Sequence, residues 1–204
     1  MLDPYQRPYE QRLSRRHLLS LGAAASLLSL SACSSSDSLS AQADAGDSKG
    51  YIAGDGSVTE FPPEKRTEPV HFTGTLYDGT EITAESLRGK PLLLNFWYAG
   101  CAPCRAEAPT LAKLHKKFAD KVHFYGVNVR DEKATAEAFE RRFSIEYPSF
   151  EDSTGHVLYE LSQVVPAQAV PTTLIIDAQG HVTSRVLGQI DESIVRTLLE
   201  DAQK

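Results

Sequence analysis

Cys101 and Cys104 lie in the stretch Trp97-Tyr98-Ala99-Gly100-Cys101-Ala102-Pro103-Cys104, directly after the apolar run Leu92-Leu93-Leu94-Asn95-Phe96-Trp97. Two thiols three positions apart, where a strand gives way to a helix, are the sequence form of a thiol–disulfide exchange site. The spacing predicts Cys101 at the helix N-cap and Cys104 as the third helical residue. The unpaired N–H groups and positive dipole end of a helix favour a negative sulfur there, lowering the Cys101 thiol from its free value of ~8.5. Cys104, one turn inward on the same face, is placed to attack a mixed disulfide formed on Cys101. Pro103 suits the first helical turn, where a missing N–H costs nothing. Two other uses of the pair are a structural disulfide and half of a zinc site. A bridge across so short a loop contributes little chain-entropy stabilisation. A zinc ribbon needs a second Cys/His pair, and the third cysteine, Cys33, stands alone near the N-terminus. The six His show no ligand spacing. No metal and no cofactor is expected.

The elements around the pair follow from hydrophobic period and turn chemistry. Leu92 to Trp97 reads as a strand buried on both faces of a sheet. Ala102 to Phe118 reads as a helix, with Cys104, Ala108, Leu111, Leu114 and Phe118 at spacings of three and four. Pro109 within it predicts a kink. Phe72 to Leu76, the Asp78-Gly79 turn and Glu81 to Thr83 form a β-hairpin. Further strands are expected over 122–129, 172–177 and 181–187, with a short extended piece at 147–150. Further helices are expected over 135–143, 155–161 and 190–202. Together these give an α/β domain over 61–204 with a mixed central sheet flanked by helices.

The chain has 204 residues, 41% apolar and 24% charged, with a net charge of −6. Four Arg against Asp3 and Glu10 make residues 1–32 positive by two, so the remainder carries −8. An acidic domain argues against nucleic acid as a partner. Three cysteines are too few for a disulfide-stapled scaffold.

Residues 1–32 have the layout of a signal peptide: Ser14-Arg15-Arg16-His17-Leu18-Leu19, a twin-arginine pattern, then an apolar stretch over 18–30 too short to span a bilayer. Leu30-Ser31-Ala32-Cys33 resembles a bacterial lipobox. That resemblance implies cleavage after Ala32, lipid on the Cys33 sulfur, and a lipid anchor on the outer face of the cell membrane. Residues 33–60, rich in Ser, Ala, Asp and Gly, are expected to form a disordered tether.

Asn95-Phe96-Trp97, Cys101-Ala102-Pro103-Cys104, Glu107, Pro109 and Val170-Pro171-Thr172-Thr173 occur in one order along the chain. In that order they resemble the thioredoxin superfamily, and within it the membrane-tethered thiol–disulfide oxidoreductases of the TlpA/ResA type. The resemblance covers residues 60–204 and implies a thioredoxin-like fold with an N-terminal hairpin. Pro171 follows Cys104 by 67 positions, more than in a minimal thioredoxin. The implied reason is an extra helix and strand inserted at about 133–161, before the proline. The resemblance makes Pro171 a cis-proline facing the disulfide, which presents the Val170 backbone to an extended client segment. It places Trp97 beneath the pair and, with Pro103, among the client-contacting residues. It sets Glu107 near the active site, tuning cysteine ionisation or passing protons; an ordinary solvated helix position is the other reading. Asn95 replaces the buried acid of thioredoxin, and an amide cannot take the Cys104 proton. Gly100 stands where many relatives carry Trp, so client contacts there depart from the pattern; Tyr98 either compensates or belongs to the core.

The implied activity is reduction of client protein disulfides, with an apocytochrome c in haem attachment as a client by analogy and a membrane thiol protein as electron donor. The same fold run as a dithiol oxidase differs only in reduction potential. A peroxiredoxin-like peroxidase would carry Thr at the position of Tyr98. A metal-carrying or docking lipoprotein would favour a wider Cys spacing or Met-rich sites, and the chain has a single Met.

Overall fold

The computed structural model describes residues 58–167 and 169–204. Residues 1–57, and with them the twin-arginine pattern, the lipobox and Cys33, lie outside the described residues. The chain order is β1 (Val58–Glu60), β2 (Thr73–Thr75), β3 (Glu81–Thr83), β4 (Leu92–Trp97), α1 (Ala102–Phe118), β5 (His123–Asn128), α2 (Lys133–Phe143), β6 (Ser149–Glu151), α3 (His156–Glu160), β7 (Thr172–Ile176), β8 (Val182–Leu187) and α4 (Glu192–Asp201). Short 3₁₀ turns cover Pro63–Lys65 and Glu85–Leu87.

Six strands form one sheet in the order β1-β8-β7-β4-β5-β6, and β2 and β3 form a separate hairpin. β4, β5 and β6 run parallel, whereas β7 is antiparallel to β4 and β8 is antiparallel to both β7 and β1. This is the mixed sheet expected. The expected insertion is also present, as α2, β6 and α3 between β5 and β7. One boundary differs. Val58–Glu60, assigned to the tether from the sequence, pairs with Val186, Arg185 and Ser184 of β8 and belongs to the folded sheet. Three half-buried residues have too little period to announce a strand; their partner strand supplies the reason for it.

All six residues of β4 are buried, and their alternation sorts the two layers of core. Leu92, Leu94 and Phe96 face Phe72, Phe150, Val157, Leu161 and Val164, the layer under the hairpin and α3. Leu93 faces the other layer with Leu111, Leu114 and Phe118 of α1 and Val195, Leu198 and Leu199 of α4. Trp97, on that same side, joins Cys101, Cys104, Ala108 and the α2 residues Ala136 and Phe139. α1 continues through Pro109 to Phe118. α4 starts where Asp191 Oδ1 accepts from the N–H groups of Ser193 (2.8 Å) and Ile194 (3.1 Å), a side-chain N-cap.

The close approach of β5 to its neighbours requires glycine at 126. A Cβ there would overlap Ser149 Oγ and stand 2.6 Å from Trp97 Nε1. Gly126→Ala is therefore expected to cost roughly 1–3 kcal/mol. The check is a lowered denaturant midpoint with an unchanged slope; a variant as stable as the parent would refute the close packing under Trp97.

Candidate active site

Cys101 and Cys104 are joined in a disulfide with Cα atoms 5.2 Å apart. The local chain explains their places. The Cys101 N–H donates to the Tyr98 carbonyl (3.1 Å), closing a tight turn after β4. Cys101 then caps α1 with extended backbone, and its Sγ accepts from the Cys104 N–H at 3.2 Å. The sulfur thus receives an N–H from the first turn of the helix, the arrangement that favours a thiolate when the bridge is reduced. Pro103 is exposed in the first turn, where it removes no helix hydrogen bond.

Both cysteines are nearly covered, at 3% and 2% exposure. Gly100, Ala102 and Pro103 beside them are exposed, so access to Cys101 is from this rim. On another side lies the Val170–Pro171 bond, which is cis. The Val170 carbonyl oxygen is 4.0 Å from Cys101 Sγ, and the Gly188 N–H fixes the Pro171 carbonyl at 2.8 Å. Val170 is half-buried and Pro171 buried. Trp97 lies with the two cysteines as expected, but it is 4% exposed and packs against Phe139 with ring centroids 4.4 Å apart. It forms a floor under the sulfurs rather than a surface for a client, because the inserted α2 covers its outer face.

Glu107 shows no solvent exposure. Its Oε1 accepts from Asn95 Nδ2 at 2.8 Å and its Oε2 from the Ile190 N–H at 3.0 Å. Asn95 Nδ2 also donates to Thr173 Oγ1 at 3.1 Å. Burial pushes the Glu107 carboxyl up to about 7, against the opposing pull of these two hydrogen bonds. A solvated helix position is thereby excluded, and Asn95 and Glu107 act as one buried unit that spans β4 and α1. A cavity of about 10 Å³ lies beside it, lined by Asn95, Trp97, Cys104, Phe139, Ile145 and Tyr147 among others, room for at most one water. Tyr147 was not singled out from the sequence. Its hydroxyl is held above its ordinary range by burial and then by the Glu107 and Glu140 carboxylates. Only its place in a short apolar-flanked extended piece could have hinted at this. Among the described residues no group of three or more His, Cys, Asp or Glu is placed to hold a metal ion.

A mixed sheet with Cys-x-x-Cys at the N-terminus of the helix that follows β4, faced by a cis-proline before β7, defines a thioredoxin-like redox domain. Comparison with known proteins agrees. Residues 67–185 match the model of the AhpC/TSA family. The chain is 32% identical over 121 residues to the thiol-disulfide oxidoreductase ResA of Bacillus subtilis (strain 168), covering 58% of this chain and 64% of that protein. It is 34% identical over 129 residues to the thiol:disulfide interchange protein DsbE of Pseudomonas fluorescens biotype C, covering 63% and 68%. It is 32% identical over 148 residues to ResA of Geobacillus kaustophilus (strain HTA426), covering 70% and 83%. A solved DsbF homologue from Corynebacterium diphtheriae superposes with a TM-score of 0.63 at 26% identity, covering 74% of this chain and 96% of that one. The chain belongs to the AhpC/TSA family and, within it, to the thiol–disulfide oxidoreductases of the ResA/DsbE type.

Proposed function

We propose that this protein is a lipid-anchored reductase of client protein disulfides on the outer face of the cell membrane. The observation that carries the exchange chemistry is Cys101 at the N-cap of α1, bridged to a Cys104 whose N–H donates to its sulfur. In the reduced protein the Cys101 thiolate attacks one sulfur of a client disulfide. A Cys101–client bond forms and the other client sulfur leaves as a thiolate. Cys104, after losing its proton, attacks Cys101 Sγ, forming the Cys101–Cys104 bond and expelling the second client thiolate. Two electrons pass to the client, and the protein is left oxidised. A membrane thiol protein then reduces it again. Glu107, with Asn95 and the adjoining cavity, supplies a buried group that can hold the Cys104 proton near neutral pH. An extended client segment lies against the Val170 backbone, and an apocytochrome c is the client that the TlpA/ResA resemblance suggests by analogy. The reading of Cys33 as the lipid attachment point rests on the lipobox resemblance; cells fed a labelled fatty acid are expected to label the parent and not Cys33→Ala, and an unlabelled parent, or label retained in the variant, would overturn it.

The direction of electron flow is tested by the reduction potential of the Cys101/Cys104 couple. A value near or below roughly −230 mV supports the reductase reading, and one near roughly −120 mV makes the protein a disulfide donor instead. Trp97, packed with both cysteines, provides the fluorescence signal. A peroxide-consumption assay on the same sample is expected to show no turnover.

A further inference from the structure

The rim beside Gly100 carries two guanidinium groups. The Tyr98 ring lies next to Gly100, where a Cβ would meet it at an ordinary 3.6 Å. Arg130, just after β5, stacks on that ring with its guanidinium carbon 3.9 Å from the centroid, a close cation–π contact. The stack is pinned from both sides. Val129 N–H donates to the Trp97 carbonyl (3.1 Å). Ala99 N–H donates to Asp131 Oδ2 (2.6 Å), and Asn128 Oδ1 accepts from the N–H groups of Arg130 (3.1 Å) and Asp131 (2.8 Å). Arg105, one turn into α1, donates from Nη1 to the Ala99 carbonyl at 3.2 Å. Both side chains are exposed. Among the described residues neither makes an ion pair. Asp131, the carboxylate next to Arg130, is engaged by Ala99 N–H and by Asn128 Nδ2 (3.0 Å). Glu132, the following one, is exposed at the N-cap of α2.

Two fixed, unpaired cations around the turn that ends in Cys101 stand out on a chain whose net charge is −6. A guanidinium held over a ring keeps donors free for a carboxylate, with less side-chain ordering left to do on binding. Gly100, the residue before Cys101, adds no side chain of its own to this rim. Resting on the exchange reading above, we propose that Arg130, stacked on Tyr98, and Arg105 form a subsite for an acidic side chain flanking the client cysteine. They select clients by charge.

The test uses the reduced full chain and two peptides that differ only in Glu or Lys beside a cysteine held in a mixed disulfide. Each second-order rate is divided by that with hydroxyethyl disulfide, which is uncharged. The acidic peptide is expected to be preferred by about twofold to fivefold at low salt, the range of an exposed ion pair, with the preference shrinking as salt rises. Arg130→Glu is expected to reverse it, and Arg105→Gln to reduce it. Equal normalised rates in the parent, or a preference that survives Arg130→Glu, would overturn the subsite and leave the exchange activity standing. No reaction with any of the three disulfides would overturn both.

Discussion

Cys104→Ala protein, reduced and mixed with a disulfide client, is expected to stop after a single exchange. Cys101 retains its place at the N-cap of α1, so the first attack proceeds and one equivalent of client thiolate is released. The second attack has no nucleophile. An intramolecular thiol one turn away acts at an effective concentration far above that of any free thiol, so turnover should fall on the order of a thousandfold or more. The covalent adduct accumulates and is seen by mass spectrometry or on a non-reducing gel. Cys101→Ala should lose the first step as well and yield no adduct. The exchange mechanism would not survive normal turnover by Cys104→Ala, or adducts carried on Cys104 in the Cys101→Ala protein. Accumulation of the adduct on Cys101 itself requires the folded N-cap, so stopped turnover with adduct present is read as chemistry.

The second large effect concerns stability and pH. Glu107 has a folded value of about 7 against an ordinary value of 4.5. Below pH 4.5 the carboxyl is protonated in both folded and unfolded chains, and its stability contribution is fully retained. As pH rises from about 4.5 to 7 the unfolded chain gives up the proton while the folded one keeps it. Stability therefore drains away over that window and levels off above it. The shift corresponds to about 3 kcal/mol. Glu107→Gln removes the ionisation while keeping the volume. The amide can still accept from Ile190 N–H, and a flipped Asn95 can accept from its NH₂ while also accepting from the Thr173 hydroxyl. Unfolding of the oxidised parent and variant in denaturant at pH 4 and pH 8 gives the test. Relative to the parent, the variant should gain about 3 kcal/mol on going from the first pH to the second. A difference that does not change with pH would mean that Glu107 is not held protonated by its burial.

The elements that carry the reactive pair were legible because their own residues determine them. Leu92–Trp97 is apolar on both faces, and the Ala102–Phe118 helix has a clear period, a capping cysteine and an early proline. Strand β1 was not legible, because Val58–Glu60 depends on its partners in β8 rather than on any pattern of its own. The state of Glu107 was hidden for a related reason. The sequence left Glu107 open between a place near the active site and a solvated helix position, because what buries it comes from Asn95 on β4 and from Ile190, 83 positions further along the chain. Trp97 was half legible: its place beneath the pair was expected and is found, but its assignment to the client contacts was not met, because the inserted α2 lays Phe139 over it. Arg130 offered no signal, since its meaning depends on Tyr98 being brought beneath it.

The antiparallel register that sets Phe96 opposite Thr172 and Asn95 opposite Thr173 also uncouples chemistry from chain length. The sulfurs are delivered by the outgoing end of β4 and the cis-proline by the incoming end of β7, side by side at one margin of the sheet. The ladder measures the gap between them, and the polypeptide looping out between the two strands does not. That loop can lengthen, take on a helix and an edge strand, or change its surface, while sulfur and proline stay in step. The same domain can thereby be refitted for new clients through its excursion without reworking the atoms that exchange electrons.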